Sequence, residues 1–279
     1  RLAWLPCLRG DSMSGLFGVA ESSITSNARV KRYPSAVVLQ VANDSIFRDA
    51  GFEPRTRLYS VSAKGKAKNP ERSLQSSRSR AKAAVRDIAL CNHFAYFFTW
   101  TLSKDQIDRY DVYLISRKVQ TFLKNAVQRK GFQYVLVPEY HKDGAIHFHG
   151  LCNLGDIRIE RATDARTGLP LSTNRGQPIF NMLDWKLGFS TCIPIDENYE
   201  RTCNYLTKYL TKDSEKILGK WYLASRNLIK RPEIDLISGG IDYDSFIEEN
   251  PLLPIVPLYR DVAMAIMQQP LDMKEGEVI

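Results

Sequence analysis

The fold is decided by residues 139–150, which read EYHKDGAIHFHG. The residues HKDG at 141–144 are typical of a tight turn, and the segments on either side have strand character. We therefore predict a β-hairpin with strands at 132–140 and 145–153. Successive side chains on a strand point to opposite faces, so His147 and His149 share one face of this hairpin.

A metal site is predicted on the histidine face of the hairpin. A turn over 141–145 puts Glu139 opposite His147 on the partner strand, whereas a shift of one residue would send Glu139 to the other face. Two imidazoles and a carboxylate suit a divalent cation and leave coordination positions open for a phosphate. Gly150 favours this interpretation, because a bare backbone lets a bulky ligand approach. The alternative is a pair of half-buried strand histidines that bind nothing.

A second stretch, residues 205–212, repeats a tetrapeptide as YLTKYLTK. On a helix, Tyr205 and Tyr209 lie one turn apart on one face, and Lys208 and Lys212 follow them by three residues each. A phenol with a pKa of about 10 is a poor nucleophile at neutral pH, and nearby ammonium groups and a metal would favour its phenolate. The alternative is that the tyrosines are core residues and the lysines belong to a solvated face.

The remaining elements follow from periodicity and from Gly, Pro and Ser punctuation. We predict strands at 36–41, 93–102, 185–195 and 221–229, helices at 104–130 and 197–212, and an insertion loop at 155–180. Ser103 is the expected cap of the first helix, and Gly131 ends it. Three regions are expected: 1–88 with a basic segment, 89–232 as the main domain, and 233–279 as an appendage with some helix. Neither His93 nor His141 is expected to have a site role.

The net charge of +8, from 39 Lys and Arg against 31 Asp and Glu, favours a polyanionic partner such as nucleic acid or a membrane surface. Basic residues concentrate between 63 and 86, where the simple interpretation is a solvated basic helix and the alternative is a helix lying along phosphates. The candidates for backbone contacts with DNA are Arg78, Arg80, Lys82, Arg226 and Lys230.

The five cysteines are widely spaced and form no CxxC pair, which indicates reduced thiols in a cytosolic protein. No apolar run approaches the roughly 18 residues of a membrane helix. We therefore expect a cytoplasmic protein with no membrane association. A Walker-type phosphate loop is missing from the sequence, so an attached ATPase is not expected.

Three segments, in chain order, resemble the motifs of the HUH endonuclease superfamily, specifically the rolling-circle replication initiators of plasmids and phages. FFTWTL at 97–102 resembles motif 1, HFHG at 147–150 resembles the His-hydrophobe-His motif 2, and YLTKYLTK at 205–212 resembles motif 3. Glu139 is similar to the upstream acidic ligand. Trp100 departs from motif 1, where a smaller apolar residue is usual. The resemblance covers residues 90–230.

The resemblance implies an α+β fold in which a central antiparallel sheet of about five strands carries flanking helices. It also implies the chemistry of a DNA nicking-joining endonuclease acting on single-stranded origin DNA. The implied site residues are Glu139, His147 and His149 for a Mg²⁺ or Mn²⁺ ion, Tyr205 or Tyr209 or both as nucleophiles, and Lys208 or Lys212 for charge stabilisation. The product would be a 5′-phosphotyrosyl enzyme and a free 3′-hydroxyl that primes replication.

Several alternatives stay open at the level of sequence. A relaxase or a single-strand transposase would use the same strand and helix. A non-enzymatic origin-binding protein would bind no catalytic metal, and a metal-dependent phosphoesterase would use water while its tyrosines pack in the core. A host helicase is a candidate partner of a replication initiator, and the oligomeric state is left open.

Overall fold

The computed structural model describes residues 25–34, 36–48, 66–196, 198–212, 216–250, 255–257 and 261–268, without the side chains of 211, 212, 255–257 and 261–268. The α-helices of this part are α1 Pro70–Asn92, α2 Val112–Lys130, α3 Tyr199–Lys212 and α4 Tyr243–Glu249. Its strands are β1 Thr25–Ser26, β2 Ala28–Tyr33, β3 Ala36–Ala42, β4 Phe47–Arg48, β5 Tyr96–Leu102, β6 Gln133–Tyr140, β7 Ile146–Asn153, β8 Ile159–Arg161, β9 Phe180–Met182, β10 Gly188–Pro194, β11 Leu223–Ala224, β12 Glu233–Leu236, β13 Ile255–Pro257 and β14 Asp261–Gln268.

The chain divides into two compact units, one at 61–231 and the other formed by 1–60 together with 232–279. The first unit contains both stretches from which the sequence argument started. Helix α1 lies in this same unit, with the sheet that carries the histidines. Each unit has its own sheet.

The sheet of the 61–231 unit confirms the α+β class and is larger than the expected five strands. Its seven described strands are all antiparallel, in the order β11-β6-β7-β5-β10-β9-β8. The prediction of a loop at 155–180 was wrong in part, because β8 and β9 extend one edge of the sheet. The strand expected at 221–229 is reduced to β11, which forms the opposite edge beside β6.

Helix α2 covers one face of this sheet. Its Ile115 and Val119 are buried in one cluster with Trp100 and Phe148, which project from β5 and β7. Trp100 stacks on Trp185 at 4.2 Å between ring centroids, and it is fully buried. The unusual residue of the first motif is therefore core, on the face of the sheet away from the histidines.

Helices α1 and α3 cover the other face, where each contacts β6. Tyr199 fixes the start of α3, because its hydroxyl donates to the Ala89 carbonyl at 2.6 Å and accepts from the Phe94 amide at 2.8 Å. Arg86 of α1 pairs with Glu200 of α3 at 2.7 Å. These contacts hold the tyrosine helix in a defined place above the histidine face.

The start of α2 differs from the prediction of a helix from Lys104 capped by Ser103. Asp111 is the cap, and its carboxylate accepts from the Leu114 amide at 2.9 Å. Residues 104–110 form turns instead. The predicted end is confirmed, since Gly131 closes the helix with φ of +65°, a left-handed conformation that suits glycine.

Gly150 does not serve the approach of a ligand, as the sequence had indicated. A Cβ at this position would lie 2.5 Å from the Phe98 ring and 2.7 Å from the Val135 carbonyl oxygen. Phe98 belongs to the α2 side of the sheet. Glycine is required here because the core on that side is closely packed.

The second unit is built on a sheet of order β12-β2-β3-β14-β13 in the described residues. The predicted strand at 36–41 is confirmed as β3, whose neighbours β2 and β14 come from opposite ends of the chain. The tail contains the expected helical part as α4, but it also contributes strands to this sheet, which the prediction of an appendage missed.

The described cysteines, Cys91, Cys152, Cys192 and Cys203, are free thiols with buried side chains, and the fifth lies outside the described residues. None of the helices in the described ranges has the length and apolar character needed to cross a membrane.

Replacing Gly150 with alanine should destabilise the protein by about 1–3 kcal/mol, because the added methyl group overpacks the core against Phe98. The free energy of unfolding in urea measures this effect. Thr191→Ala, an exposed change on β10 of the same sheet, should stay within about 0.5 kcal/mol of wild type. Equal stability of Gly150→Ala and wild type would contradict the packing argument.

Replacing Asp111 with alanine should lower the free energy of unfolding by about 1 kcal/mol, because the Leu114 amide loses its acceptor. Asp111→Asn keeps a side-chain acceptor and should retain most of the stability. Ser103→Ala serves as the second comparison, since Ser103 precedes the turns and not the helix. A larger loss in Ser103→Ala than in Asp111→Ala would restore the earlier helix start.

Candidate active site

The histidines lie on the central strand of a three-strand set. Strand β7 pairs with β6 on one side and with β5 on the other, and the register is the expected one, with Glu139 opposite His147. Thr101 faces His147 from β5, and Thr99 faces His149. The period of two in each strand therefore gathers these side chains on the face covered by α1 and α3.

His149 is the most constrained member of this group. Its Nε2 lies 2.8 Å from Oε2 of Glu139, and its Nδ1 lies 3.2 Å from Oγ1 of Thr99. Both His149 and Glu139 are buried, each at 8% exposure. A neutral imidazole that donates from one ring nitrogen accepts at the other, so this chain of contacts fixes both the ring plane and the position of the carboxylate.

The tyrosine helix meets the histidine strand at His149. The ring of Tyr209 stacks on the His149 ring, with centroids 3.8 Å apart and planes only 8° from parallel. The Tyr209 hydroxyl donates to the Tyr205 hydroxyl at 2.7 Å. The two stretches that stand 55 residues or more apart in the sequence are thereby joined in one site.

The two tyrosines differ in their surroundings. Tyr209 is 8% exposed and Tyr205 is 47% exposed. Burial raises the pKa of Tyr209, and its hydrogen bond to Tyr205 and the negative charge of Glu139 raise it further. These surroundings oppose a phenolate at Tyr209, contrary to the expected effect of the neighbouring lysines.

Phe97 and Thr99 are site residues that the sequence argument did not assign. The Phe97 ring lies 5.6 Å from the Tyr205 ring and 6.3 Å from the His149 ring, measured between centroids. Both residues belong to β5, whose alternate positions point to the histidine face. The alternation in FFTWTL was a signal for two faces, but the sequence did not say which face meets the histidines.

His147 has a different neighbour. Its ring stacks on His141 with centroids 4.6 Å apart, although His141 was expected to be a solvated turn residue. His141 is exposed, and its Nδ1 lies 3.1 Å from Oδ1 of Asp143. Partial burial lowers the pKa of His147, and the charge of His141 lowers it further, which favours the neutral imidazole that binds metals.

The chemistry of Glu139, His147 and His149 fits a divalent cation, because one carboxylate and two imidazoles are suitable ligands. Within the described ranges, no three His, Cys, Asp or Glu side chains already lie in an arrangement that could hold a metal ion. Glu139 and His149 instead bond to each other. The Thr99 hydroxyl is placed to accept from Nδ1 of His149 whenever Nε2 serves as a ligand, an arrangement typical of metal-binding histidines.

The basic residues with predicted roles lie on α1, on α3 and after β11. Lys208 is exposed on α3, and Lys212 ends that helix with a side chain outside the described residues. Arg226 and Lys230 are exposed after β11, and Arg78, Arg80 and Lys82 lie on α1. Partial burial lowers the pKa of Lys82, and the charge of Arg78 lowers it further.

Comparison with known proteins agrees with this site. Residues 95–214 match the family described as replication-associated protein ORF2, a span that includes Glu139, both histidines and both tyrosines. No curated protein and no solved structure matches the chain. The match covers somewhat less than half of the chain, and it supports a role for this protein as a replication initiator.

Proposed function

We propose that the protein is a metal-dependent, site-specific endonuclease of the HUH type that nicks single-stranded DNA at a replication origin and so starts rolling-circle replication. The observation that carries this proposal is the stack of Tyr209 on His149, with the Tyr205 hydroxyl 2.7 Å from that of Tyr209. It joins the candidate nucleophiles to the candidate ligands. The match to replication-associated proteins gives the biological setting.

The proposed ligands of a Mg²⁺ or Mn²⁺ ion are Glu139, His147 and His149. A divalent cation at this place would polarise the scissile phosphate as a Lewis acid. Thr99 then orients the His149 ring through Nδ1. The buried position of Glu139 and His149 keeps water from competing for the same carboxylate and imidazole.

Tyr205 is proposed as the residue that attacks first. It is the more exposed of the two phenols, so a phosphate can reach its oxygen. The Tyr209 hydroxyl donates to that oxygen and stabilises negative charge as it develops there. Tyr209 is the second candidate nucleophile, and it would act after the first phenol has been consumed.

The reaction is a transesterification. A bond forms between the Tyr205 oxygen and phosphorus, and the bond between phosphorus and the 3′-oxygen breaks. The phenol proton leaves to solvent, and the 3′-oxygen takes up a proton to become the free hydroxyl that primes synthesis. Attack on this phosphotyrosine by a later 3′-hydroxyl rejoins the strand and releases the enzyme.

The positive charge of the protein suits the polyanionic substrate. Lys208 and Lys212 are proposed to stabilise charge on the phosphate or the phenolate from the tyrosine helix. Arg78, Arg80, Lys82, Arg226 and Lys230 are proposed to contact the DNA backbone. A host helicase, which would unwind the duplex beyond the nick, is proposed as a partner.

An origin-containing single strand incubated with the protein and Mn²⁺ tests the proposal. A covalent adduct that migrates slowly on a denaturing gel is the expected result. Cleavage without an adduct would instead indicate a phosphoesterase that uses water. A retarded band on a native gel without any cleavage would indicate a DNA-binding protein with no nicking activity. An adduct on transfer DNA or on a transposon end alone would indicate a relaxase or a transposase.

Tyr205→Phe should reduce the initial rate of adduct formation by at least about a hundredfold, because the exposed nucleophile is lost. Tyr209→Phe should retain a measurable adduct, formed more slowly because Tyr205 no longer accepts a hydrogen bond. The double variant should form none. Rates are measured by quenching into denaturing gels.

The opposite order of effects, with Tyr209→Phe inactive and Tyr205→Phe active, would transfer the first attack to Tyr209. Adducts that persist in the double variant would remove the helix from the mechanism altogether. Tyr199→Phe is less suitable as a control, since that hydroxyl holds the start of the helix.

His149→Ala and Glu139→Gln should each abolish metal-dependent nicking while single-stranded DNA is still bound. The reason is that each change removes a ligand without removing positive charge from the DNA-binding surface. Nicking and fluorescence anisotropy are measured on the same preparations. His93→Asn is the matched control, because His93 is exposed with φ of +39°, a conformation that asparagine tolerates. Full nicking activity in His149→Ala would contradict the metal assignment.

A further inference from the structure

A cavity of about 360 Å³ lies between α1 and the segment that follows the tyrosine helix. This volume is within the range of small-molecule sites. Neither the proposed metal ligands nor Tyr205 and Tyr209 line it. Its principal lining residues are Lys216, Lys220, Lys230, Trp221, Tyr222 and Ile88.

The walls of the cavity are fixed by specific contacts. The Asn92 side chain donates to the Ile229 carbonyl at 2.7 Å and accepts from the Ile229 amide at 3.0 Å, which holds the backbone beside Lys230. The Trp221 indole donates to the Ser77 hydroxyl of α1 at 3.0 Å. Strand β11 pairs with β6 between these two points. The cavity is therefore formed before any ligand arrives.

The lining combines positive charge with aromatic surface. Lys216, Lys220 and Lys230 are exposed, and no carboxylate is found among the described residues that line the cavity. Trp221 is largely buried and Tyr222 is partly buried, so their rings form an apolar wall. Lysines that converge on a phosphate and aromatic rings on which a base stacks are the features of single-stranded nucleic acid sites.

The basic surface of α1 adjoins the same place. Ser77, which holds Trp221, directly precedes Arg78, and Arg80 and Lys82 lie within the next turn and a half. On the other side, Lys216 follows Tyr209 by seven residues, so their Cα atoms are at most about 25 Å apart. One short oligonucleotide can therefore reach both the tyrosines and the cavity.

We propose that this cavity binds one nucleotide of the single-stranded DNA, with its phosphate at the three lysines and its base against Trp221 and Tyr222. The inference rests on the proposed function for its substrate. It adds a binding subsite separate from the residues that cut. Its role is to hold the strand while the scissile phosphate lies at the tyrosines.

The test is the salt dependence of binding to a fluorescein-labelled single strand of about 20 nucleotides, measured by anisotropy with EDTA so that no nicking occurs. Changing Lys216, Lys220 and Lys230 together to glutamine should reduce the slope of log K against log salt by about 2, since three phosphate-neutralising charges are lost. The matched control changes Lys104, Lys118 and Lys124 to glutamine, which are exposed lysines on or beside α2. The control should leave the slope within about 0.5 of wild type.

The aromatic wall is tested separately. Tyr222→Ala should weaken binding by about tenfold, because a base loses its stacking partner, while the salt slope stays unchanged. The midpoint of thermal unfolding of each variant is measured in parallel, and Tyr222→Phe, which keeps the ring, should bind as wild type does. Equal losses in Tyr222→Ala and Tyr222→Phe would contradict stacking.

The outcomes separate this inference from the proposed function. A wild-type protein that nicks, with the two lysine triples equal in slope, would overturn the subsite and leave the nuclease standing. A wild-type protein that does not bind single-stranded DNA would overturn both. Stabilisation of the wild type by free deoxynucleotide, lost in the Lys216 triple without any change in the DNA slope, would make the cavity a small-molecule site and overturn the proposal.

Discussion

The register of β7 between β5 and β6 is the constraint on which the rest of the site depends. It sends His147, His149 and Glu139 to one face, and it sends Phe148 and the small backbone of Gly150 to the other. A shift of one residue would exchange these faces. The core therefore enforces the site, because the large rings around Trp100 fit only on the α2 side.

The second requirement is that α3 lies above that face at a fixed height. Tyr199 and the pair formed by Arg86 and Glu200 hold its beginning to α1. One further turn along the helix brings Tyr205, and the next brings Tyr209 onto the His149 ring. Because Tyr209 is buried and Tyr205 is half exposed, the same spacing gives the two phenols different chemical properties.

The sequence was sufficient for features that depend on short-range pattern. The hairpin, its register and the pairing of Glu139 with His147 followed from alternation and a four-residue turn. The start of α2 was missed because the segment before Asp111 offers several residues capable of capping. The role of Gly150 was missed because a glycine does not reveal which face is crowded. The short strands β8 and β9 and the stack on His149 depend on non-local contacts that no local pattern encodes.

The central claim is that a phenol on α3 takes the 5′ phosphate of the nicked strand, and the covalent adduct itself can be located. Trypsin cuts after Arg201, Lys208 and Lys212, so it releases Tyr205 in peptide 202–208 and Tyr209 in peptide 209–212. After nuclease trimming of the adduct, mass spectrometry should find the nucleotide mass on peptide 202–208 at early times. A nucleotide on neither peptide, or on a peptide from outside α3, would contradict the account.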